Sequence, residues 1–166
     1  YLLEGDKLIF SEQLRFAGIG ESRVETELMD LIDNQSNPTI APLAGPHEVS
    51  TRLTANGRNQ EECEKLIAPV KEEILKRIGK YYYGSDHTKI EQAVLAKIPG
   101  DFAIYDGVTS AEIYSRLKEY DKDNQLKGML LDNDKYVSST LTLEERLKLS
   151  AAYVRDFYQT EISISL

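Results

Sequence analysis

The chain has 166 residues, 41% of them hydrophobic and 29% charged, which excludes a disordered polymer and fits one ordinary domain or two small ones. Its net charge of −8 argues against nucleic-acid binding by bulk electrostatics. The lone Cys63 excludes a disulfide framework, and with only two histidines beside it a structural zinc site is excluded too. No apolar run approaches a membrane span and the first residues lack a signal segment, so the expected location is cytoplasmic.

Lys7–Phe16 reads as a first strand, with Leu8 and Phe10 alternating against polar neighbours. The Gly18-Ile19-Gly20 turn then leads into a helix opening at Ser22. That helix carries Val24, Leu28, Leu31 and Ile32 on one face and stops at Asn37-Pro38. Thr39–Leu43 is a weaker strand, because Pro42 fits only an edge or a bulge. Glu48–Ala55 alternates clearly, with Val49, Thr51, Leu53 and Ala55 on the core face. A long helix follows from Asn59. Its stripe of Cys63, Leu66, Ile67, Val70, Ile74 and Ile78 passes through Pro69, where a kink is expected, to a left-handed cap at Gly79. Lys80–Tyr83 is the next strand. Beyond it come helices opening at Thr88, Thr109 and Thr142, interleaved with strands at Phe102–Tyr105, Leu126–Leu131 and Glu161–Leu166; the last helix aligns Leu143, Leu147, Ala151, Val154 and Tyr158.

Each of the five helix starts carries a capping-box pattern, a small polar residue with Glu three positions on. The pairs are Ser22/Glu25, Asn59/Glu62, Thr88/Glu91, Thr109/Glu112 and Thr142/Glu145.

Residues 1–84 therefore read β-α-β-β-α-β, the split βαβ plan of an α+β domain with two helices on one face of an antiparallel sheet. Residues 85–166 read α-β-α-β-α-β, an α/β domain with a mainly parallel sheet. The join falls in the polar turn Gly84-Ser85-Asp86. Each half holds 10 Lys+Arg and 14 Asp+Glu, so neither is a basic arm.

Asp121-Lys122-Asp123-Asn124 has the start of a calcium loop, but Leu126 stands where the sharp turn needs glycine, and a solvated turn is the simpler reading. His47 and His87 lie in separate polar turns without a positioned neighbour. Cys63 fits the apolar stripe as a small buried hydrophobe. Tyr81, Tyr82 and Tyr83 offer rings for base stacking or, more simply, for a strand edge. Gly18–Ser22 has the strand-to-helix geometry that cradles phosphate, yet Glu21 puts a negative charge there and no Lys follows. No cofactor or metal site is expected.

Phe16-Ala-Gly-Ile-Gly-Glu-Ser22, Asn37-Pro-Thr-Ile-Ala-Pro42, Arg52-Leu-Thr-Ala55, Leu66-Ile-Ala-Pro69 and Tyr83-Gly84 resemble the middle region of the CinA family of bacterial competence/damage-inducible proteins. The resemblance implies a KH-like domain that lies, in the family, between a nucleotide pyrophosphatase domain and a nicotinamide mononucleotide deamidase domain. It also implies that Tyr1 is a fragment boundary. The family's KH-like domain lacks here the Gly-x-x-Gly loop with which KH domains bind RNA, so the label describes a fold.

The second half resembles the deamidase domain more faintly. The family signature Glu-Ser-x-Thr-Gly-Gly has its counterpart in Asp106-Gly-Val-Thr-Ser-Ala111, followed by Ile113-Tyr-Ser-Arg-Leu117. The nucleophile position falls on Gly107, the threonine on Thr109, and the paired glycines on Ser110 and Ala111. The assisting Tyr position reads Asp132, and the Lys position falls on Lys135 if a short deletion is allowed. The resemblance therefore implies a degenerate deamidase-like domain without catalytic residues, in a chain with an architectural or interaction role. Its expected partners are copies of itself or other domains of its parent. The alternatives are an active amidohydrolase using Ser110 and a nucleic-acid-binding KH-like module.

Overall fold

The computed structural model describes residues 7–46, 48–132, 137 and 140–166; Tyr1, His47 and Lys135 lie outside the described residues. The chain divides into two compact units, residues 1–88 and 89–166.

In the first unit the order is β1 (Leu8–Phe16), α1 (Glu21–Asp33), β2 (Thr39–Gly45), β3 (Glu48–Gly57), α2 (Gln60–Ile78), a 3-10 turn (Gly79–Tyr81) and β4 (Tyr82–Ser85). The strands form one antiparallel sheet in the order β2-β3-β1-β4, so the β-α-β-β-α-β reading holds. β2 takes the edge, where Pro42 removes no ladder donor the sheet requires. In β3 Val49, Thr51, Leu53 and Ala55 are buried as expected, but Ser50 on the opposite face is buried too, its hydroxyl accepting from the Gln13 amide at 2.6 Å. Val49, Leu53 and Ala55 with Leu14 and Phe16 of β1 meet Val24 and Leu28 of α1 and Cys63, Ile67, Ile74 and Ile78 of α2 in one core. The α2 stripe keeps phase through Pro69, and the helix is continuous from Gln60 to Ile78.

In the second unit α3 (Ile90–Lys97), β5 (Phe102–Asp106), α4 (Glu112–Tyr120), β6 (Leu126–Leu131), α5 (Leu143–Tyr158) and β7 (Ile162–Ser165) build a three-stranded parallel sheet in the order β6-β5-β7. Every residue of the central β5 is buried, as expected for a parallel strand covered on both faces. Phe102 and Ile104 pack with Leu95 of α3, Leu117 of α4 and Leu126, while Ala103 and Tyr105 pack with Val137 and Val154 of α5. Gly128 of β6 is required by close approach. A Cβ there would lie 2.1 Å from the Tyr158 ring, whose hydroxyl donates to the Met129 carbonyl at 2.9 Å.

The capping boxes need correction. Only Thr142/Glu145 is a complete box, and Asn59 caps α2 by accepting from the Glu62 N–H at 2.9 Å while the Glu62 carboxylate turns to Arg58. α1 starts earlier, with Gly20 as its cap, because the Arg23 and Val24 N–H groups both go to the Gly20 carbonyl. α3 starts later: the Thr88 hydroxyl donates to the Ser85 carbonyl, and the Lys89 N–H donates to Gln92 instead. α4 starts after Ala111, because the Thr109 hydroxyl is drawn to Asp106. Gly79 is right-handed (φ −61°) and continues into the 3-10 turn, which also takes Lys80 and Tyr81 out of the strand. Leu143, in the first turn of α5, is 71% exposed instead of facing the core.

Candidate functional site

At the C-terminal end of β5 the chain turns sharply toward α4. Asp106, only 2% exposed, organises that turn. One carboxylate oxygen accepts from the Val108 and Thr109 N–H groups at 2.9 and 2.6 Å; the other accepts from the Thr109 hydroxyl at 2.5 Å and the Ala111 N–H at 2.8 Å. Burial pushes this carboxyl up, but the hydroxyl and the three N–H donors outweigh it and hold the pKa at about 2. The turn closes through two left-handed residues, Ser110 (φ +53°) and Ala111 (φ +74°). Glycine adopts that conformation without cost, and these are the two positions where the signature carries paired glycines.

Gly107 follows Asp106 at the strand end. Its N–H donates to the Leu166 carbonyl at 3.1 Å, and a Cβ there would sit 3.1 Å from that carbonyl oxygen and 3.3 Å from the Asp132 Cβ. Asp132 leaves β6 beside it, its N–H donating to the Asp106 carbonyl at 2.9 Å. The Asp132 carboxylate accepts from the Tyr105 hydroxyl at 2.9 Å and pairs with Arg146 of α5 at 2.5 Å. The cavity between these groups measures about 110 Å³, and Ser150 and Ser165, with hydroxyls 2.5 Å apart, form part of its wall.

The structure thus brings Gly107, Thr109, Ser110 and Asp132 to one end of the parallel sheet. The Thr109 hydroxyl donates to Asp106 and accepts from the Ile113 N–H at 3.4 Å, and exposed Ser110 has no hydrogen-bond partner for its hydroxyl among the described residues. Sequence reasoning did not single out Asp106 as the clamp, nor Tyr105 and Arg146 as partners of Asp132. The Asp106 role had a local signal, since an Asp at a strand end readily bonds to N–H groups two and three residues on. Arg146 had none, because its partner lies on a different element.

The other candidates are structural. Cys63 is fully buried, with its thiol near the Leu8 and Ala55 carbonyls, and His87 is exposed. The three tyrosines diverge. Lys80 lies 4.9 Å from the Tyr81 ring centre, Tyr82 packs edge-on against Phe16, and the Tyr83 hydroxyl donates to Glu48. Among the described residues no group of three potential metal ligands forms, and no helix is long and apolar enough to cross a membrane. The larger concavity, about 600 Å³, is an open groove on the first unit near Ile9, Asn37, Asn56 and Arg58, and none of the sequence-derived candidates lies in it.

A split βαβ unit followed by a parallel-sheet unit matches the resemblance in the sequence. Residues 11–84 match the family model described as the damage-inducible protein CinA KH domain. Curated proteins described as competence-damage inducible, from Bacillus thuringiensis (strain Al Hakam) and Bacillus cereus (strains AH820 and B4264), are each 56% identical over 78 residues. Those residues are 47% of this chain and 19% of each relative, so the matched stretch spans about a fifth of the relatives' length. Over its first unit the chain is similar to the CinA family of competence/damage-inducible proteins.

Proposed function

We propose that this chain serves a CinA-type protein as a non-catalytic element. The KH-like unit and a deamidase-like unit would together place or assemble domains, through self-association or contacts with other parts of the parent. The observation that carries this reading is position 107. Amide hydrolysis by covalent catalysis needs an activated hydroxyl at a prepared oxyanion site. Gly107 offers none, and a side chain there would press on Asp132 and the Leu166 carbonyl. The neighbouring cavity of about 110 Å³ is also smaller than the ~300–1,000 Å³ usual for small-molecule sites. The Asp132 carboxylate in its wall is engaged by Tyr105 and Arg146.

The left-handed backbone at Ser110 and Ala111 supports descent of this turn from a Gly-Gly signature and gives the amidohydrolase alternative its test. Purified protein is incubated with nicotinamide mononucleotide while ammonia and nicotinic acid mononucleotide are followed. The expected result is no turnover above buffer. Turnover near about 1 per second that Ser110→Ala abolishes would overturn the reading.

A further inference from the structure

The loop between α4 and β6 turns its oxygens inward around a single point. Asp121 Oδ2, Asn124 Oδ1 and the Leu126 carbonyl lie 2.9, 2.9 and 3.0 Å from the Lys118 ammonium, whose three donors are thereby all used. The Asp121 side chain is fully buried, and its carboxylate also accepts from the Gln125 and Leu126 N–H groups. A buried carboxylate needs hydrogen-bond donors or a countercharge to compensate it, and here a countercharge comes from one helical turn upstream. A second ammonium closes the loop from outside: Lys127 donates to the Asn124 carbonyl at 2.8 Å and pairs with Asp101 at 3.2 Å.

We propose that the Lys118 ammonium is the resident cation of this loop, a pin that takes the place a metal would fill and fixes the register in which β6 enters the sheet. The register is a point of decision. Phe102 pairs with Leu126 but Ala103 pairs with Gly128, so Lys127 is an extra residue between two ladder positions. The Phe102 N–H takes the Gln125 carbonyl at 2.9 Å from inside the clasped loop. A slip by one residue would put a side chain under the Tyr158 ring in place of Gly128 and carry Asp132 away from Tyr105 and Arg146. The pin thus acts at one end of β6 to place residues at the other.

The test uses the full chain. In the unaltered protein the Lys118 side-chain NH3+ should give a slowly exchanging NMR signal, and calcium or chelator should leave the melting temperature unchanged. Lys118→Met should lower the melting temperature of the second unit by about 5 °C or more and move the Gly128 resonances that lie under the Tyr158 ring. Lys118→Ala should recover part of that loss in ethylammonium chloride, with no recovery in sodium chloride. Asp121→Asn, which keeps an acceptor but removes the charge, should release the ammonium signal even if the Lys118 variants fail to fold. A rapidly exchanging Lys118 ammonium, an unshifted melting temperature in Lys118→Met, or saturable stabilisation of the unaltered protein by calcium would each overturn the proposal.

Discussion

The two units solve the burial problem differently. Among the described residues, the first gathers its buried apolar side chains into one core in which two helices cover one face of an antiparallel sheet, and its charged side chains pair largely on the surface, as in Arg77 with Asp30 and Glu73. The second divides its apolar residues into two smaller clusters on opposite faces of a three-stranded sheet and buries the carboxylates of Asp106 and Asp121 at turns, with Glu91 of α3 buried beside Arg116. Stability in the first unit therefore rests on apolar packing, roughly proportional to buried area. In the second a larger share rests on satisfied polar turns, where removing one partner is costly. The Asp106 clamp is such a turn, a buried carboxylate satisfied by one hydroxyl and three backbone N–H groups.

The most severe test of this contrast is Leu53→Asp. Leu53 is completely buried in the first core, and an unpaired carboxylate there should cost several kcal/mol, enough to unfold that unit. Tyr82–Phe16 contacts should disappear from the aromatic NMR spectrum while the Tyr105 and Tyr158 signals of the second unit persist. A melting profile like that of the unaltered protein would mean that the face of β3 is misassigned.

Gly128→Ala is the counterpart in the second unit. The added methyl would lie 2.1 Å from the Tyr158 ring, so the ring or the strand must move, at about 3 kcal/mol. The expected outcome is loss of the second unit's melting transition with the first unit's unchanged. Two separate transitions are the readout, because a two-domain chain need not unfold in one step.

Acid should also separate the units. Asp106 titrates at about 2 in the folded chain, below the usual value near 4 in an unfolded one. Its contribution is fully present above pH 4 and is lost as pH falls toward 2, amounting to about 2 kcal/mol. Asp121 is likewise held low: burial raises it, but Lys118 and the Gln125 and Leu126 N–H groups prevail. The depressed carboxylates of the first unit, Asp30, Glu62 and Glu73, are held low by their arginine partners and lie nearer solvent. The second unit should therefore melt first between pH 4 and 2, and Asp106→Asn should flatten its pH dependence. Parallel loss of both transitions in the unaltered protein would break the contrast.

The element order was legible because period-2 and helical patterns are set by which residues a sheet or helix must bury. Val49–Ala55 and the Cys63–Ile78 stripe announce their faces without help from distant parts of the chain. The site was legible in its turn, Asp106–Ala111, and not in its partners. Whether Asp132 would face a substrate or Arg146 depends on the crossing of β6 and α5, which no local pattern encodes. Asp121 shows a narrower limit: its partners Lys118, Gln125 and Leu126 are all local, but its sequence context suggests a solvated turn, and only the fold buries it.

The smallest effects examine the place where local pattern failed, the helix starts. All five Ser/Thr/Asn-x-x-Glu pairs look alike in sequence, yet the side chain caps its helix only at Asn59 and Thr142. Asn59 accepts from the Glu62 N–H at 2.9 Å, and the Glu145 carboxylate accepts from the Thr142 N–H at 2.9 Å. Replacing either cap with Ala should cost about 1 kcal/mol, in the first unit for Asn59→Ala and in the second for Thr142→Ala. Ser22 lies inside the first turn of α1, and the bond it makes there is through its carbonyl, which accepts from the Thr26 hydroxyl. Ser22→Ala removes a hydroxyl that caps nothing and adds a better helix former, so it should change stability by no more than a few tenths of about 1 kcal/mol, in the stabilising direction. Denaturant titrations resolving the two units would measure all three variants. If Ser22→Ala cost as much as Asn59→Ala, α1 would begin at Arg23, and the Gly20 carbonyl could not be what starts the helix.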